Sequence, residues 1–237
     1  MSVSFASFLV ALSCANKRVG SCYANHSGQS YNENDSTILE EIAKTDLQKI
    51  SDFIGLLQHA GIETNNLAVS VGSTPSLFHH ANHLDLPNVE IHPGNYTLYD
   101  RQQMWSGGCT RDEVAGRVIS RVIGHYEDRN TILLDAGATA LTKEQAPQGG
   151  MGEIGGAPQL ECRRMSQEVT IVSDPTGAVF PFASFPLGSI VNLIPNHSCL
   201  AAACFEKYYI IDDPTCAFSE DQDIVDEWVP SKYFHVA

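Results

Sequence analysis

Residues 67–76 have the sequence LAVSVGSTPS, in which an apolar run passes directly into a polar loop that contains a glycine. The length and branched side chains of residues 67–71 predict a short buried strand. Residues 19–24 and 89–91 have the same character, and each also leads into a polar loop with a glycine. Three strands, each followed by such a loop, predict a parallel α/β arrangement.

A long amphipathic helix is predicted between the first two of these strands. Apolar residues recur there at helical spacing, the helix opens at Asp35-Ser36-Thr37, and Ala60-Gly61 ends it. In parallel α/β folds, chemistry collects on the loops at the C-terminal ends of the strands, because helix N-termini there offer free N–H groups. Residues 72–74 and 94–96 could therefore approach a phosphate, although glycine loops also serve as plain connections.

The pattern changes near residue 112, where we place a domain boundary. Residues 143–160 are rich in glycine, proline and glutamine, which predicts an irregular loop. Short apolar segments separated by turn residues predict a mostly β second domain. These segments are residues 114–123, 131–137, 169–172, 189–194, 208–211 and 224–229.

A candidate metal pair lies in the sequence PNHSC, residues 195–199. On an extended backbone, side chains two residues apart point the same way, so His197 and Cys199 would present an imidazole and a thiolate to one point. Two such ligands suit a zinc ion that keeps open coordination positions. The alternative is a turn with a half-buried histidine and a small apolar cysteine.

Acidic residues exceed basic ones by 28 to 14 among the 237 residues, which gives a formal charge of −14. No Lys/Arg-rich run interrupts this excess, so nucleic-acid binding is disfavoured. The seven cysteines have no repeating spacing, which is typical of a reducing compartment and predicts a cytoplasmic protein. Residues 5–15 have the apolar length of a signal-peptide core, but no positive charge precedes them. No other run is long enough to span a bilayer.

Five motifs together resemble the eukaryotic D-serine dehydratase family. They are VSVGSTP (residues 69–75), HPGNY (92–96) with Asp100 following, LDAG (134–137), PNHSC (195–199) and VDEW (225–228). They occur in order, and the resemblance runs from about Val19 to the C-terminus. That family is similar to D-threonine aldolases and belongs to the fold type III pyridoxal-phosphate enzymes, which combine an alanine-racemase-like barrel with a β domain.

The resemblance implies a fold of class α/β plus β. Residues 19–111 would form the C-terminal part of a (β/α)8 barrel that binds pyridoxal phosphate, and residues 112–237 a β-rich metal-binding domain. Residues 1–18 are an apolar start of uncertain nature.

The resemblance also implies which residues form the site. The residues that would hold the cofactor phosphate are Gly72, Ser73, Thr74, Gly94, Asn95 and Tyr96. His197 and Cys199 would bind zinc, and the cysteine at the second ligand position resembles the dehydratase branch, because the aldolase branch has a carboxylate there. Tyr31 and His26 could face the cofactor or simply build their loop.

The sequence departs from the family at three points. The family's cofactor lysine lies in a motif like PHxKTHK, and none of the six lysines here has those surroundings, so no Schiff-base lysine is assigned. Only about three of the eight barrel strands are recognised, as if the chain began more than halfway round an N-terminally truncated barrel. Val169 stands where the family usually has a histidine.

The implied function is a lyase that converts D-serine to pyruvate and ammonia by a zinc- and pyridoxal-phosphate-dependent β-elimination. One alternative is a zinc-binding protein without catalysis, favoured by the missing lysine motif. Another is D-threonine-aldolase-type cleavage of D-3-hydroxy amino acids. The partners expected are a small D-amino acid and, as in the family, a second subunit of a homodimer. A histidine cluster at His79, His80 and His83 looks like a metal site, although solvated helix histidines are commoner.

Overall fold

The computed structural model describes residues 12–13, 18–19, 21–24, 29–76, 88–212 and 222–231. Its strands are β1 (Leu12–Ser13), β2 (Arg18–Val19), β3 (Ser21–Ala24), β4 (Ala68–Val71), β5 (Val89–Ile91), β6 (Val118–Tyr126), β7 (Thr131–Leu134), β8 (Gly152–Ile154), β9 (Ala157–Met165), β10 (Thr170–Ser173), β11 (Ile190–Pro195), β12 (Tyr208–Ile211) and β13 (Ile224–Trp228). Its helices are α1 (Ser36–His59), α2 (Arg101–Trp105), α3 (Ala138–Leu141) and α4 (Ser198–Ala203). The chain divides into a first unit, residues 1–96 with 105–108, and a second unit, residues 97–104 with 109–237.

The first unit contains a parallel sheet in the order β3, β4, β5. Helix α1 connects β3 to β4, and its apolar side packs on the sheet, where Ile50 and Leu57 join one cluster with Val69. Asp35 caps the helix by accepting from the Thr37 amide at 2.8 Å, which confirms the predicted start. The described residues thus show three parallel strands of the predicted α/β part.

The second unit contains a closed barrel of six antiparallel strands in the order β10, β7, β6, β11, β8, β9. Inward-facing side chains such as Ile132, Leu160 and Leu193 fill it and are fully buried. Each barrel strand has a partner on both sides, so closure removes unpaired strand edges. The predicted β-rich second half is confirmed.

The prediction of an irregular loop over residues 143–160 is wrong in part. Strand β8 and the beginning of β9 lie there, and Gly152 pairs with Pro195 of β11. A side chain at Gly155 would place its Cβ 1.8 Å from Asn192 Oδ1. The glycines therefore mark close approach of strands, which a composition-based prediction mistook for loop.

Strands β12 and β13 form a separate antiparallel ribbon whose residues are exposed or half-buried. Asp226 and Trp228, from the VDEW motif, lie on this ribbon and outside the buried core. Trp228 is 57% exposed, and its Nε1 donates to Asp226 Oδ2 at 3.0 Å. The indole finds its partner on its own strand because two residues along a strand share a face.

Several predictions fall outside the described residues. These are most of the apolar start at residues 1–18, His26, and the histidines His79, His80 and His83. The five cysteines that the structure describes are all free thiols: Cys22, Cys109, Cys162, Cys199 and Cys204. Among the described helices, none has the length and hydropathy needed to cross a bilayer.

Candidate metal-binding and cofactor-binding residues

The candidate metal pair lies where β11 gives way to α4. His197 is the N-cap of that helix with an extended backbone (φ −137°, ψ 100°), and Cys199 lies in its first turn. The prediction that an extended segment aligns the two side chains is therefore wrong. The chain turns into a helix between them because Ser198 begins α4. The start of this helix therefore sets the relative directions of the two side chains.

Asp100 fixes this helix start. Its Oδ2 accepts from the Ser198 amide and its Oδ1 from the Gln103 amide, both at 2.8 Å. The Ser198 hydroxyl also donates to the Tyr99 carbonyl. One fully buried carboxylate thus caps the N-terminal turns of α2 and α4, and it holds the segment between the two candidate ligands.

Arg101 is the centre of a buried ionic network beside the metal pair. Its Nε donates to Glu153 Oε2 at 3.0 Å, and its Nη2 lies 3.4 Å from Glu161 Oε1. All three side chains are buried, and such charges persist in an interior only when they are paired and hydrogen-bonded. Arg111 pairs with Glu153, and Arg163 pairs with Glu161.

Asn196 connects this network to His197. Its Oδ1 accepts from Arg101 Nη1 at 2.8 Å, and its Nδ2 donates to the carbonyls of Glu144 at 2.7 Å and Gly150 at 2.8 Å. The residue next to the candidate ligand is therefore held by three contacts. Sequence reasoning missed this role because the partners lie roughly 50–100 positions apart, and no local pattern reveals such pairing.

A carboxylate also lies beside His197 itself. Glu144 Oε1 is 3.6 Å from His197 Nδ1, and the side chains are 33% and 15% exposed. Burial raises the pKa of the Cys199 thiol, and the nearby Asp100 carboxylate raises it further. A bound cation would reverse this effect, because a coordinating thiol is deprotonated.

The donor chemistry of this pair fits zinc. An imidazole and a thiol are preferred zinc ligands, and both side chains retain some exposure. Within the described ranges, no three His, Cys, Asp or Glu side chains form a metal-binding group. His197 and Cys199 would hold a metal through an imidazole nitrogen and a thiolate, and two protein ligands leave open positions on a four-coordinate ion.

The candidate phosphate-binding residues lie on two loops of the first unit that a hydrogen bond joins. The Asn95 amide donates to Thr74 Oγ1 at 2.9 Å. Ser30 Oγ lies 3.0 Å from Ser73 Oγ, which brings the turn that carries Tyr31 against the same loop. The turn at Gln29–Asn32 thus lies against the loop that follows β4, which in turn contacts the loop that follows β5.

This set fits a phosphate in its donor chemistry, through hydroxyls and glycine-flanked amides. Gly72 has a φ of +86°, which favours glycine and turns the chain after β4. A Cβ at Gly94 would meet open space, and Tyr96 is 51% exposed, so these two residues face outward. Ser73 and Thr74 are buried with protein partners for their hydroxyls, so a ligand would share those hydroxyls.

Comparison with known proteins places these residues in context. Residues 115–211 match the family described as "Putative serine dehydratase domain". D-serine dehydratase of Dictyostelium discoideum is 30% identical over 220 residues, which are 89% of this chain and 53% of that protein. The chain spans about half the length of the dehydratases it matches.

Solved structures show the same relationship. D-threo-3-hydroxyaspartate dehydratase from Delftia sp. HT23 matches with a TM-score of 0.67 and 29% identity, over 78% of this chain and 51% of that one. Two mutant forms of such a dehydratase also match, one with a histidine and one with a cysteine changed to alanine two positions apart, the latter metal-free. An alanine-racemase-like protein from Idiomarina loihiensis matches with a TM-score of 0.68 and 28% identity, over 80% of this chain and 51% of that one. The sequence is similar to that of eukaryotic D-serine dehydratases and the fold to that of D-threo-3-hydroxyaspartate dehydratase, and residues 115–211 match a serine dehydratase domain.

Proposed function

We propose that this chain contributes the metal-binding and phosphate-binding parts of a D-serine dehydratase-like lyase, which releases pyruvate and ammonia from D-serine. The observation that carries the proposal is the His197 and Cys199 pair, held at the start of α4 by Asp100. A histidine and a cysteine at the same spacing were changed in the hydroxyaspartate dehydratase mutants, and the structure of the cysteine mutant is of its metal-free form.

His197 and Cys199 would hold zinc, while Gly72, Ser73, Thr74, Gly94, Asn95 and Tyr96, with Tyr31 beside them, would hold the phosphate of pyridoxal phosphate. When bound, zinc would polarise a substrate hydroxyl as a Lewis acid, and pyridoxal phosphate would act as an electron sink for Cα. The chain's own part is positional: buried Asp100 and Asn196 fix the ligand segment, and the Thr74 to Asn95 contact fixes the two phosphate loops.

Three finer statements belong to the same proposal. The first unit would be part of a (β/α)8 barrel, because its three strands are parallel and α1 connects two of them. The protein would be cytoplasmic, which the five free thiols among the described residues support. It would act as a homodimer, as the family resemblance implies.

The metal assignment is tested by the zinc content of the purified chain and of two ligand variants. We expect about one zinc per chain, lost in His197→Ala and in Cys199→Ala because each removes one of two protein ligands. Cys204→Ala is the matched control, because Cys204 is an exposed thiol on the same unit and should not affect zinc. Equal zinc content in all four proteins would refute the site.

The reaction is tested by pyruvate release from D-serine with added pyridoxal phosphate and zinc. Glycine release from D-threonine would instead favour aldol cleavage. A second candidate, a zinc-binding protein without lyase activity, is kept because none of the six lysines lies in the family's motif. Stoichiometric zinc without either product, and without an imine absorbance, would favour that candidate.

A further inference from the structure

We propose that Glu144 is a positioning residue that holds the Nδ1 side of the His197 ring and leaves Nε2 to bind the metal. This inference rests on the proposed zinc site. Glu144 belongs to none of the motifs that carried the family resemblance, and it lies in the segment that the sequence predicted as irregular loop.

The two side chains face each other at short range. Glu144 Oε1 lies 3.6 Å from His197 Nδ1, somewhat beyond hydrogen-bonding distance. Both side chains are partly buried, so an interaction between them is less screened than one in open water.

The carboxylate is anchored independently of His197. The same Oε1 accepts a hydrogen bond from Gln102 Nε2 at 3.0 Å, and Gln102 is buried in α2. Glu144 is therefore not a freely rotating surface side chain. Gln102 gives it a fixed origin from which it can reach the ring.

The main chain of Glu144 is tied to the ligand segment as well. Its carbonyl accepts from Asn196 Nδ2 at 2.7 Å, and the Asn196 carbonyl accepts from the Gln102 amide at 3.2 Å. Glu144, Gln102 and Asn196 thus form a closed set of contacts next to His197. This set fixes the distance between the carboxylate and the ring from both the main chain and the side chain.

A carboxylate in this place has a defined chemical effect. Metal-ligating histidines donate their other ring N–H to a carboxylate or carbonyl, which fixes the tautomer and makes the ligating nitrogen more basic. Loss of such a partner typically weakens metal binding about 10–100-fold. Glu144 is placed to supply this interaction at Nδ1, so it would strengthen the metal site without being a ligand.

The experiment compares zinc affinity in Glu144→Ala, Glu144→Gln and Glu206→Gln by competition with a chromophoric chelator. We expect Glu144→Ala to bind zinc about 10–100-fold more weakly. Glu144→Gln, which has the same shape and keeps an acceptor oxygen, should bind with intermediate affinity. Glu206 is an exposed carboxylate on the same unit, so its variant should match the wild type.

A spectroscopic readout separates positioning from general destabilisation. In zinc-loaded protein with ¹⁵N-labelled histidine, the His197 Nδ1 proton should be visible in the wild type, shifted in Glu144→Gln and lost to solvent exchange in Glu144→Ala. Unchanged zinc affinity and an unchanged Nδ1 proton in Glu144→Ala would overturn the inference. Cobalt can replace zinc to report on the ligands through its absorption spectrum. If the spectrum of cobalt-loaded Glu144→Gln differed from that of the cobalt-loaded wild type in the pattern expected for loss of a ligand, Glu144 would itself be a ligand, and the inference would also be overturned.

The zinc site and the positioning role of Glu144 can be refuted separately. If the wild type and His197→Ala bind zinc equally, the metal site itself is wrong, and the role of Glu144 is wrong with it. If zinc depends on His197 but not on Glu144, the metal site stands and only the positioning role is wrong.

Discussion

Asp100 is a single buried carboxylate on which two helix starts depend. It accepts from the Gln103 amide of α2 and the Ser198 amide of α4. Replacing a helix N-cap acceptor by alanine costs about 0.5–2 kcal/mol, so we expect Asp100→Ala, which removes two such contacts, to lower the free energy of unfolding by about 1–4 kcal/mol. Urea titration followed by circular dichroism measures this loss.

Asp128→Ala is the matched control for that prediction. Asp128 is an exposed aspartate whose Oδ2 lies 3.5 Å from Nε of the neighbouring Arg129, and exposed pairs contribute roughly 0–1 kcal/mol. Equal losses for the two variants would show that Asp100 does not hold the helix starts.

The buried thiol of Cys162 should make the free energy of unfolding depend on pH in the alkaline range. The thiol is fully buried, and burial raises its pKa from 9.0 to about 12. The unfolded chain loses this proton at lower pH than the folded chain, so the stability that the group contributes is complete below pH 9.0 and falls between there and about 12. The unfolding free energy of Cys162→Ala, which also leaves a small cavity, should fall less steeply over that window.

The pH slope, and not the absolute stability, is the quantity to compare. Cys204→Ala serves as control, because Cys204 is exposed and its removal should leave the slope unchanged. Parallel slopes for the wild type and Cys162→Ala would contradict the prediction.

At the scale of elements, Gly137 joins β7 to α3 where there is no room for a side chain. A Cβ there would lie 2.5 Å from the Val169 amide nitrogen and 2.6 Å from the Gln167 carbonyl oxygen. Because these are backbone atoms, the neighbouring loop would have to move. We expect Gly137→Ala to lower the free energy of unfolding by about 1–3 kcal/mol, the range of overpacked sites, measured by urea titration.

Gly55→Ala is the control, because this substitution should raise the free energy of unfolding. It lies within α1, and a Cβ there would meet nothing within 4 Å. Gly55→Ala should therefore stabilise the protein by about 0.5–1 kcal/mol, through the better helix propensity of alanine. A stabilising Gly137→Ala would mean that the loop at Val169 yields easily.

Local signals explain which elements the sequence could predict. The sequence predicts both ends of α1, the start from Asp35 and the end from Ala60-Gly61, and the structure confirms them. The segment that holds β8 was missed because Gly152 and Gly155 serve contacts with β11, which composition cannot show. For the same reason, the roles of Asp100 and Arg101 could not be predicted, since their partners are distant in sequence.

The sequence proposes residue types for the candidate site but does not give its geometry. The spacing of His197 and Cys199 suggested a metal pair, yet the extended backbone that motivated it is a helix start. The resemblance pointed to the same segment through whole motifs, whereas periodicity compares only spacings. The side chains that surround that segment, including Glu144, could be identified only from the fold.

At the scale of the whole molecule, each unit has a core of its own. The barrel core and the core beneath the parallel sheet share no residue among the clusters that the structure describes. The barrel strands are paired on both sides, whereas β3 and β5 each have a single partner among the described strands. Local stability follows such buried contacts and paired edges. The amides of β6 and β11 should therefore exchange more slowly than those of β3 and β5.

Hydrogen exchange followed by mass spectrometry checks this order, and Leu193→Ala tests its cause. Leu193 is fully buried in the barrel core, and removing such a side chain costs about 2–5 kcal/mol. We expect faster exchange throughout the barrel strands of this variant and unchanged exchange in β3 to β5, because their core does not include Leu193. Val69→Ala, a change in the other core, should give the reverse pattern. If either variant accelerated exchange equally in both cores, the two would open as one cooperative unit, since separate opening requires that each core lose only its own contacts.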